Sequence, residues 1–479
     1  MNFEIPAFAP AVPEMVLLAL ASFILVADTF WSKRYQFATY YATQASLLVV
    51  GYLVISSFSV ETIYTFNDSF VRDAFADVMK LFTVLVSIGV FFFSREYLLQ
   101  HKFYSGEFFV LGLFGVLGMF VMISANNFIT MYLGLEIMSL AMYAMIALRK
   151  YDGQAVEAGM KYFVLGALAT GMLLYGFSMI YGATGTITFT EMKQVIASGS
   201  ADGIVLAFGV VFVVIGLAFK LGAVPFHMWM PDVYHGSPSA VTLYLATAPK
   251  IAGFAMVYRL LFEGMPGLVD DWQQLIIMLA ILSLAVGAIV AIAQDNLKRM
   301  LAYSGIGHIG FLLLGVLAAT ADGFSASMFY VIIYAITGVA GFGMIVALSK
   351  TGNEFDRVAD FKGLNAKNPW LALMMLIIMF SMAGIPPFIG FWAKILVIEE
   401  VVKAGFTWIA VIAVITAVIS AFYYLRVVKA MYFDKSEYKE AIEISSPVVH
   451  WGLSLVAISL LVLGLMPAGL IDLAYNSIS

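Results

Sequence analysis

The sequence predicts an all-α integral membrane protein with about 14 transmembrane helices. Of its 479 residues, 62% are hydrophobic and only 11% are charged, and the mean hydropathy is +0.97. A span needs about 20 apolar residues, and windows of this kind recur along the whole chain. The connections between them are short. They leave no room for an extramembrane domain that would bind a nucleotide or a nucleic acid.

Each predicted helix is one apolar window, bounded by charged residues, glycines or prolines. The fourteen windows, in order, are 9–30, 36–58, 74–94, 107–125, 127–148, 155–181, 203–224, 239–262, 272–293, 301–319, 323–348, 370–398, 406–428 and 447–473. They form a single bundle with four parts, which are 1–106 (helices 1–3), 107–262 (helices 4–8), 272–430 (helices 9–13) and 446–473 (helix 14). The first window has acidic Glu4 and Glu14 instead of a basic segment, so we expect a retained helix and not a cleaved signal peptide.

Basic residues separate onto two sides when the predicted loops are assigned alternately to each side of the membrane. The richer side carries Lys33, Arg34, Arg95, Lys102, Arg149, Lys150, Lys298, Arg299, Lys350, Arg357, Lys362, Lys367, Arg426, Lys429, Lys435 and Lys439. The other side carries Arg72, Lys80, Lys193, Arg259 and Lys403. Since lysine- and arginine-rich loops stay in the cytoplasm, the richer side is predicted to be cytoplasmic and both termini to lie outside.

Cysteine is absent from the chain. Iron–sulfur clusters held by thiolates and disulfide bonds are therefore excluded from this polypeptide. We expect no cofactor and no metal site in it.

A short motif recurs in the predicted seventh and twelfth helices and indicates an inverted repeat. The segment 222–226, Gly-Ala-Val-Pro-Phe, is followed by Trp229, and the segment 384–388, Gly-Ile-Pro-Pro-Phe, is followed by Trp392. Five spans separate the two copies, an odd number, so the second crosses the membrane in the opposite direction. Inverted repeats with helices broken at glycine and proline are typical of transporters. The sequence therefore predicts two inverted five-helix repeats, with helices 7 and 12 broken.

Charged residues inside the predicted spans are the main functional signal, because an ionised group at bilayer depth persists only if it is paired, hydrated or functional. Glu136 lies near the middle of helix 5, and Lys161 on the next helix is its expected partner. For Lys161 an interfacial position near Glu157 is the alternative. For Glu136 the alternative is a purely structural ion pair.

Three further lysines lie deeper in the predicted bundle. Lys220 immediately precedes the break in helix 7, and Lys394 follows the break in helix 12. Lys250 follows Pro249, which frees a backbone carbonyl one turn earlier that an ammonium group or a water molecule can engage. Burial lowers the pKa of a lysine and a nearby carboxylate raises it again. A row of such lysines is therefore a suitable proton relay, whereas arginine would stay protonated.

His308 lies about two turns into helix 10, among glycines that would admit water. It is a candidate for passing protons between the two halves of the bundle. A neutral histidine hydrogen-bonded to a carbonyl group is the alternative.

Three long motifs together resemble the antiporter-like proton-translocating subunits of respiratory complex I. They are AFKLGAVPFHMWMPDVYHGSPSAVT at 218–242 with ATAPK at 246–250, QDNLKRMLAYS at 294–304, and SMAGIPPFIGFWAK at 381–394. The likeness extends over nearly the whole chain, and within the family it is greatest to the N-type subunits of bacterial NADH–quinone oxidoreductase. One departure is His235-Gly-Ser-Pro, where the family more often has Glu or Gln followed by Gly-Ala-Pro.

The resemblance implies a proton-translocating membrane subunit of the bacterial cytoplasmic membrane, with periplasmic termini. Its partners would be the other antiporter-like subunits and a hydrophilic arm that carries flavin, iron–sulfur clusters, NADH and quinone sites. Glu136 and Lys161 would form an intake-side pair and Lys220 the central group. Lys250 and His308 would then lead to Lys394 near the exit.

Two other functions remain open from the sequence. A subunit of a multisubunit sodium–proton antiporter shares the helices and lysines, although few acidic residues besides Glu136 lie near the central sites. A structural membrane scaffold would carry buried charges that merely pair with each other, and would tolerate replacement of both partners of a pair.

Overall fold

The protein is seen here in a computed structural model, which describes residues 6–31, 37–350, 354–435, 444 and 446–478. Thirteen helices in this part of the chain are long and apolar enough to cross a membrane. The prediction of an all-α, multi-pass membrane protein is confirmed. Lys33, Arg34 and Lys439, which contributed to the predicted orientation, lie outside the described residues.

The first half of the chain contains eleven α-helices and one small hairpin. The helices are α1 Val12–Phe30, α2 Ala38–Ser56, α3 Ala74–Gln100, α4 Gly106–Ile123, α5 Phe128–Ile146, α6 Gly153–Thr184, α7 Phe189–Ala197, α8 Gly203–Leu221, α9 Trp229–Gly236, α10 Ser239–Leu245 and α11 Ala248–Val257. Strands β1 Ile63–Thr65 and β2 Phe70–Arg72 pair antiparallel between α2 and α3. A π-helical segment, Tyr258–Gly264, continues α11.

The second half of the chain contains the remaining nine α-helices. They are α12 Val269–Ile292, α13 Leu297–Leu317, α14 Ala321–Leu348, α15 Leu364–Lys367, α16 Pro369–Ala383, α17 Ile389–Lys403, α18 Thr407–Tyr432, α19 Pro447–Leu465 and α20 Ala468–Asn476. Many of the long helices start at a side chain that accepts a backbone N–H of the first turn, as N-caps do. These capping residues are Asp73, Asn127, Asp152, Asp202, Asn296, Thr320 and Asn368.

Both predicted helix breaks are present. The predicted twelfth span consists of two 15-residue helices, α16 and α17, on either side of residues 384–388. The seventh ends at Leu221 and resumes as the short helix α9. Each break begins at a glycine in the left-handed conformation, Gly222 (φ 84°) or Gly384 (φ 81°), whose N–H bonds back to the last turn as in a helix C-cap.

A third break, in the predicted eighth span, was not expected. Helix α10 ends at Leu245 and α11 begins at Ala248, so the window 239–262 is not one continuous helix. Pro249 occupies the first turn of α11, where its missing N–H costs nothing, whereas one more turn of helix before it would bring its ring against a carbonyl. The proline that was taken as a local perturbation therefore ends a helix.

Glycines allow neighbouring spans to approach backbone to backbone. A Cβ at Gly118 of α4 would lie 2.6 Å from the Gly134 oxygen of α5, and a Cβ at Gly287 of α12 would lie 2.4 Å from the Gly307 nitrogen of α13. Membrane helices associate in this way because lipid provides no hydrophobic force between them. Helices α4 and α5 open the first predicted repeat, and α12 and α13 open the second. The inverted repeat itself stays a prediction.

Three basic residues that the sequence analysis placed on the outer side are buried. Lys80 lies in the second turn of α3 and is fully buried, as is Arg259 in the π-helical segment. Arg72 is buried at the end of β2. Each of the three has a carboxylate partner contributed by another part of the chain or by a nearby residue.

Candidate functional site

Lys220 lies in the last turn of α8, directly before the break at Gly222. Its ammonium group donates to the Ser139 hydroxyl of α5 at 3.1 Å. Glu136 lies three residues before Ser139 and therefore on the same face of α5. Its carboxylate is close enough to act electrostatically on Lys220. The structure thus brings Glu136 together with Lys220.

Lys250 in the first turn of α11 reaches across to the end of α8. Its ammonium group donates to the Leu221 carbonyl at 2.7 Å and lies 5.3 Å from the centre of the Trp229 ring. The expectation that it would engage a carbonyl freed by its own Pro249 was wrong. The carbonyl that it binds is one left without a helical partner where α8 ends.

Lys394 of α17 makes the corresponding contact at the second break. Its ammonium group donates to the Ala383 carbonyl at 2.7 Å, and Ala383, like Leu221, directly precedes the left-handed glycine. Gly384 is packed against this lysine, since a Cβ there would lie 2.7 Å from the Lys394 Cδ. By its contacts, Lys394 is therefore the counterpart of Lys250, and Lys220 has no counterpart lysine at the second break.

His308 of α13 is held by two tyrosine hydroxyls. Its Nδ1 is 2.7 Å from the Tyr330 hydroxyl and its Nε2 is 3.1 Å from the Tyr424 hydroxyl. Tyr424 also bonds to Ser304. The expected alternative, a histidine bonded to a backbone carbonyl, is not what is found. Both ring nitrogens have hydroxyl partners that can donate or accept, which suits a group that passes protons.

A small cavity lies between His308 and the second break. Its volume, measured as the space open to the centre of a water molecule, is about 20 Å³, which is enough for one water. The hydroxyl-bearing residues that line it are Tyr330, Tyr334, Thr337 and Ser381. The Ser381 hydroxyl has no hydrogen-bond partner among the described residues. The cavity thus offers polar contacts for a water beside His308.

The gap between Lys250 and His308 is occupied by Met230 and Tyr334. The Met230 sulfur and the Lys250 ammonium group both lie where a Cβ of Gly222 would point. The Met230 methyl group and the Tyr334 hydroxyl both lie where a Cβ of Gly305 would point. Tyr334 also lines the cavity beside His308. A flexible methionine therefore lies between Lys250 and Tyr334.

Lys161 is placed apart from Glu136. Its ammonium group lies 2.7 Å from Glu157 and 3.1 Å from Asp232 of α9, and Arg299 binds the other Asp232 oxygen at 2.7 Å. The predicted Glu136–Lys161 ion pair is not formed in the described part of the chain. Lys161 is partly exposed, as the alternative near Glu157 proposed.

Asp232 was weighed from the sequence only as a weak metal ligand with His227 and His235, and its role as a partner of Lys161 was missed. It lies between the candidate spans. Burial alone would raise the pKa of its carboxyl group, but hydrogen bonds from Arg299 and Lys161 outweigh burial and hold the pKa below its usual range. The signal was available, since Asp232 is the one acidic residue in the segment 222–238. The described residues contain no group of three or more His, Asp or Glu placed to hold a metal ion.

Comparisons with known proteins show which family this chain resembles. Residues 125–420 match the family described as NADH:quinone oxidoreductase/Mrp antiporter, TM. NADH-quinone oxidoreductase subunit N of Hydrogenovibrio crunogenus is 71% identical over 478 residues, covering 100% of both chains. The subunit N of Nitrosomonas europaea is 49% identical over 478 residues, covering 100% of this chain and 99% of the other.

Solved structures share the fold of this chain. A chain of respiratory complex I from Thermus thermophilus with bound aureothin is 29% identical, covers 97% of this chain and 100% of its own, and has a TM-score of 0.84. A chain of the Mrp complex from Dietzia sp. shares the fold at 21% identity, with a TM-score of 0.81 and coverage of 98% and 96%. The chain therefore belongs to the NADH-quinone oxidoreductase subunit N family of antiporter-like membrane proteins.

Proposed function

We propose that this chain translocates protons across the membrane as subunit N of NADH–quinone oxidoreductase. The residues of the path are Glu136, Lys220, Lys250, His308 and Lys394, with Lys161 at its edge. The observation that carries the proposal is the repeated contact at the helix breaks, where Lys250 and Lys394 each donate at 2.7 Å to the carbonyl that precedes a left-handed glycine.

The contact explains how a buried lysine would be controlled. The carbonyl end of a helix is the negative end of its dipole, so it favours an ammonium ion placed there. Moving a half-helix by a small distance would weaken this contact and favour release of the proton. Lys220 would respond instead to the carboxylate of Glu136. Lysine suits both positions because its pKa shifts readily on burial, whereas that of arginine does not.

The proposal includes an internal repeat and an orientation. Residues 107–262 and 272–430 would be the two inverted halves, preceded by 1–106 and followed by 446–473. The matching glycine contacts of α4 with α5 and of α12 with α13 support this division. The protein would lie in the bacterial cytoplasmic membrane with both termini in the periplasm, because the loops richer in lysine and arginine lie on the opposite side.

The redox chemistry would take place in partner subunits. This chain has no cysteine that could hold an iron–sulfur cluster. Flavin, iron–sulfur clusters, NADH and quinone would be bound by other subunits of the complex. The partners of this chain would be the hydrophilic arm and the other membrane subunits, including the other antiporter-like subunits.

Co-purification tests the proposed assembly. A tagged copy of this chain, extracted in mild detergent, is expected to bring down subunits with bound flavin and iron–sulfur clusters and with NADH–quinone reductase activity. The same tag on an unrelated multi-pass protein is the control. Recovery of a complex without redox subunits, together with sodium-dependent proton exchange, would favour the sodium–proton antiporter instead.

Labelling of single cysteines tests the orientation without background, because the chain has none. Ala366→Cys and Ser200→Cys both place the thiol at an exposed position, in loops predicted to be on opposite sides. In intact cells a membrane-impermeant maleimide is expected to label position 200 and to label position 366 only after the membrane is opened. The reverse pattern would invert the proposed topology.

A further inference from the structure

A second group of buried charges lies between α1, the hairpin, α3 and the π-helical segment, apart from the path described above. Its members form three linked sets of ion pairs, Glu14 with Lys80 at 2.5 Å, Arg72 with Asp77 at 3.2 Å, and Arg259 with Asp73 and Glu263. We name these seven residues the outer cluster, because the sequence predicts that their end of the bundle is outside. None of them belongs to the path through Lys220.

All three guanidinium nitrogens of Arg259 donate hydrogen bonds. Its Nη1 and Nη2 donate to the two oxygens of Asp73 at 2.7 and 2.9 Å, and its Nε donates to the Ile123 carbonyl at 3.1 Å. The Nη1 also lies 2.8 Å from both oxygens of Glu263. Two carboxylates thus share one fully buried guanidinium group.

The Glu14–Lys80 pair contains buried polar atoms that lack hydrogen bonds. Both side chains are more than nine-tenths buried. Although they are close, neither Glu14 oxygen nor the Lys80 nitrogen has a hydrogen bond of good geometry with the described residues. Phe70 and Phe120 rings lie 5.2 and 5.8 Å from the ammonium group. Buried polar atoms of this kind ordinarily bind water or exchange protons.

The cluster contains one more acidic group than basic groups. Four carboxyl groups, Glu14, Asp73, Asp77 and Glu263, face three cations, Arg72, Lys80 and Arg259. If all seven groups were ionised, the net charge of the cluster would be −1. Uptake of one proton by a carboxylate makes the cluster neutral, and neutrality is strongly favoured in a medium of low dielectric constant. Tyr64 and Tyr258 are the other titratable groups close to it.

We propose that the outer cluster is a second proton-binding site, which holds one proton and releases it on the outer side of the membrane. The buried end is Lys80, and exposure increases to 13% for the Asp73 side chain and 30% for that of Glu263. Release breaks the O–H bond of one carboxylic acid and passes the proton to water at the Glu263 end. The inference rests on the proposed function, because that function supplies the protons.

The test uses inverted membrane vesicles that contain the whole complex, so that their interior corresponds to the outer side. The rate of NADH-driven acidification is measured with a pH-sensitive dye, and the amount of assembled complex on native gels. Glu263→Gln is expected to assemble, because Arg259 keeps both bonds to Asp73. It leaves three carboxylates facing three cations, so the cluster no longer needs a proton to be neutral. Acidification should therefore fall severalfold. The matched control Lys193→Met, at an exposed lysine of α7, should match wild type.

A normal acidification rate in the assembled Glu263→Gln variant would overturn the inference. If that variant does not assemble, Glu14→Gln decides, because it also leaves three carboxylates facing three cations, and Asp73 and Asp77 still act electrostatically on Lys80. A severalfold loss supports proton binding, and a normal rate overturns it. Lys220→Ala in the same vesicles separates the two proposals, since its normal pumping would contradict the proposed function and leave the outer cluster without a source of protons.

Discussion

Replacing Lys220 with alanine is expected to leave the complex assembled while lowering proton pumping, and the quinone reductase activity coupled to it, by about tenfold or more. The path then loses the group that Glu136 controls. Assembly should survive because the Ser139 hydroxyl, which receives the Lys220 hydrogen bond, also donates to the Leu135 carbonyl at 2.6 Å and so keeps a partner. Pumping is measured by acidification of inverted vesicles, normalised to the assembled complex.

Lys220→Arg is the informative companion variant. Arginine keeps the positive charge and stays protonated, so it should be nearly as damaging as alanine if the proton itself must leave this position. Lys150→Ala, at an exposed lysine in a loop, is the control and should pump normally. Near-normal pumping by the arginine variant would mean that Lys220 serves only as a fixed charge.

Glu136→Gln is the second substitution with a large expected effect. In a static Glu136–Lys161 pair it would leave a buried lysine uncompensated, at a cost of about 3–5 kcal/mol, and assembly would suffer. Lys161 instead has Glu157 and Asp232 as partners. We therefore expect normal assembly on native gels and a severalfold loss of pumping, because the carboxylate that acts on Lys220 is gone.

The double variant Glu136→Gln with Lys161→Met distinguishes a working site from a scaffold. It should assemble and still pump poorly, since no second change restores the charge near Lys220. Glu157→Gln is the matched control, because it removes an exposed carboxylate whose ion pair with Lys161 adds little to stability. Full pumping by the assembled double variant would favour the scaffold function for this part of the molecule.

The two helix breaks at Gly222 and Gly384 could be predicted from local sequence, since a glycine followed three residues later by proline cannot continue a regular helix. The break at Thr247 has the same kind of local cause in Pro249 but was hidden inside a strongly apolar window. The π-helical segment that follows α11 has no comparable signal in the sequence. This segment contains Arg259, whose guanidinium group binds Asp73 and Glu263.

The sequence by itself determined the membrane class, the approximate number of spans, the two main breaks and the burial of Lys250 and Lys394, because each depends on the cost of placing residues in lipid. Only the tertiary structure decided which groups meet. Lys250 binds a carbonyl 29 residues away, and His308 bonds to Tyr424, 116 residues away. Partner choice depends on which helices are neighbours and how each is rotated. Hydropathy does not encode this, since lipid-facing and buried surfaces are both apolar.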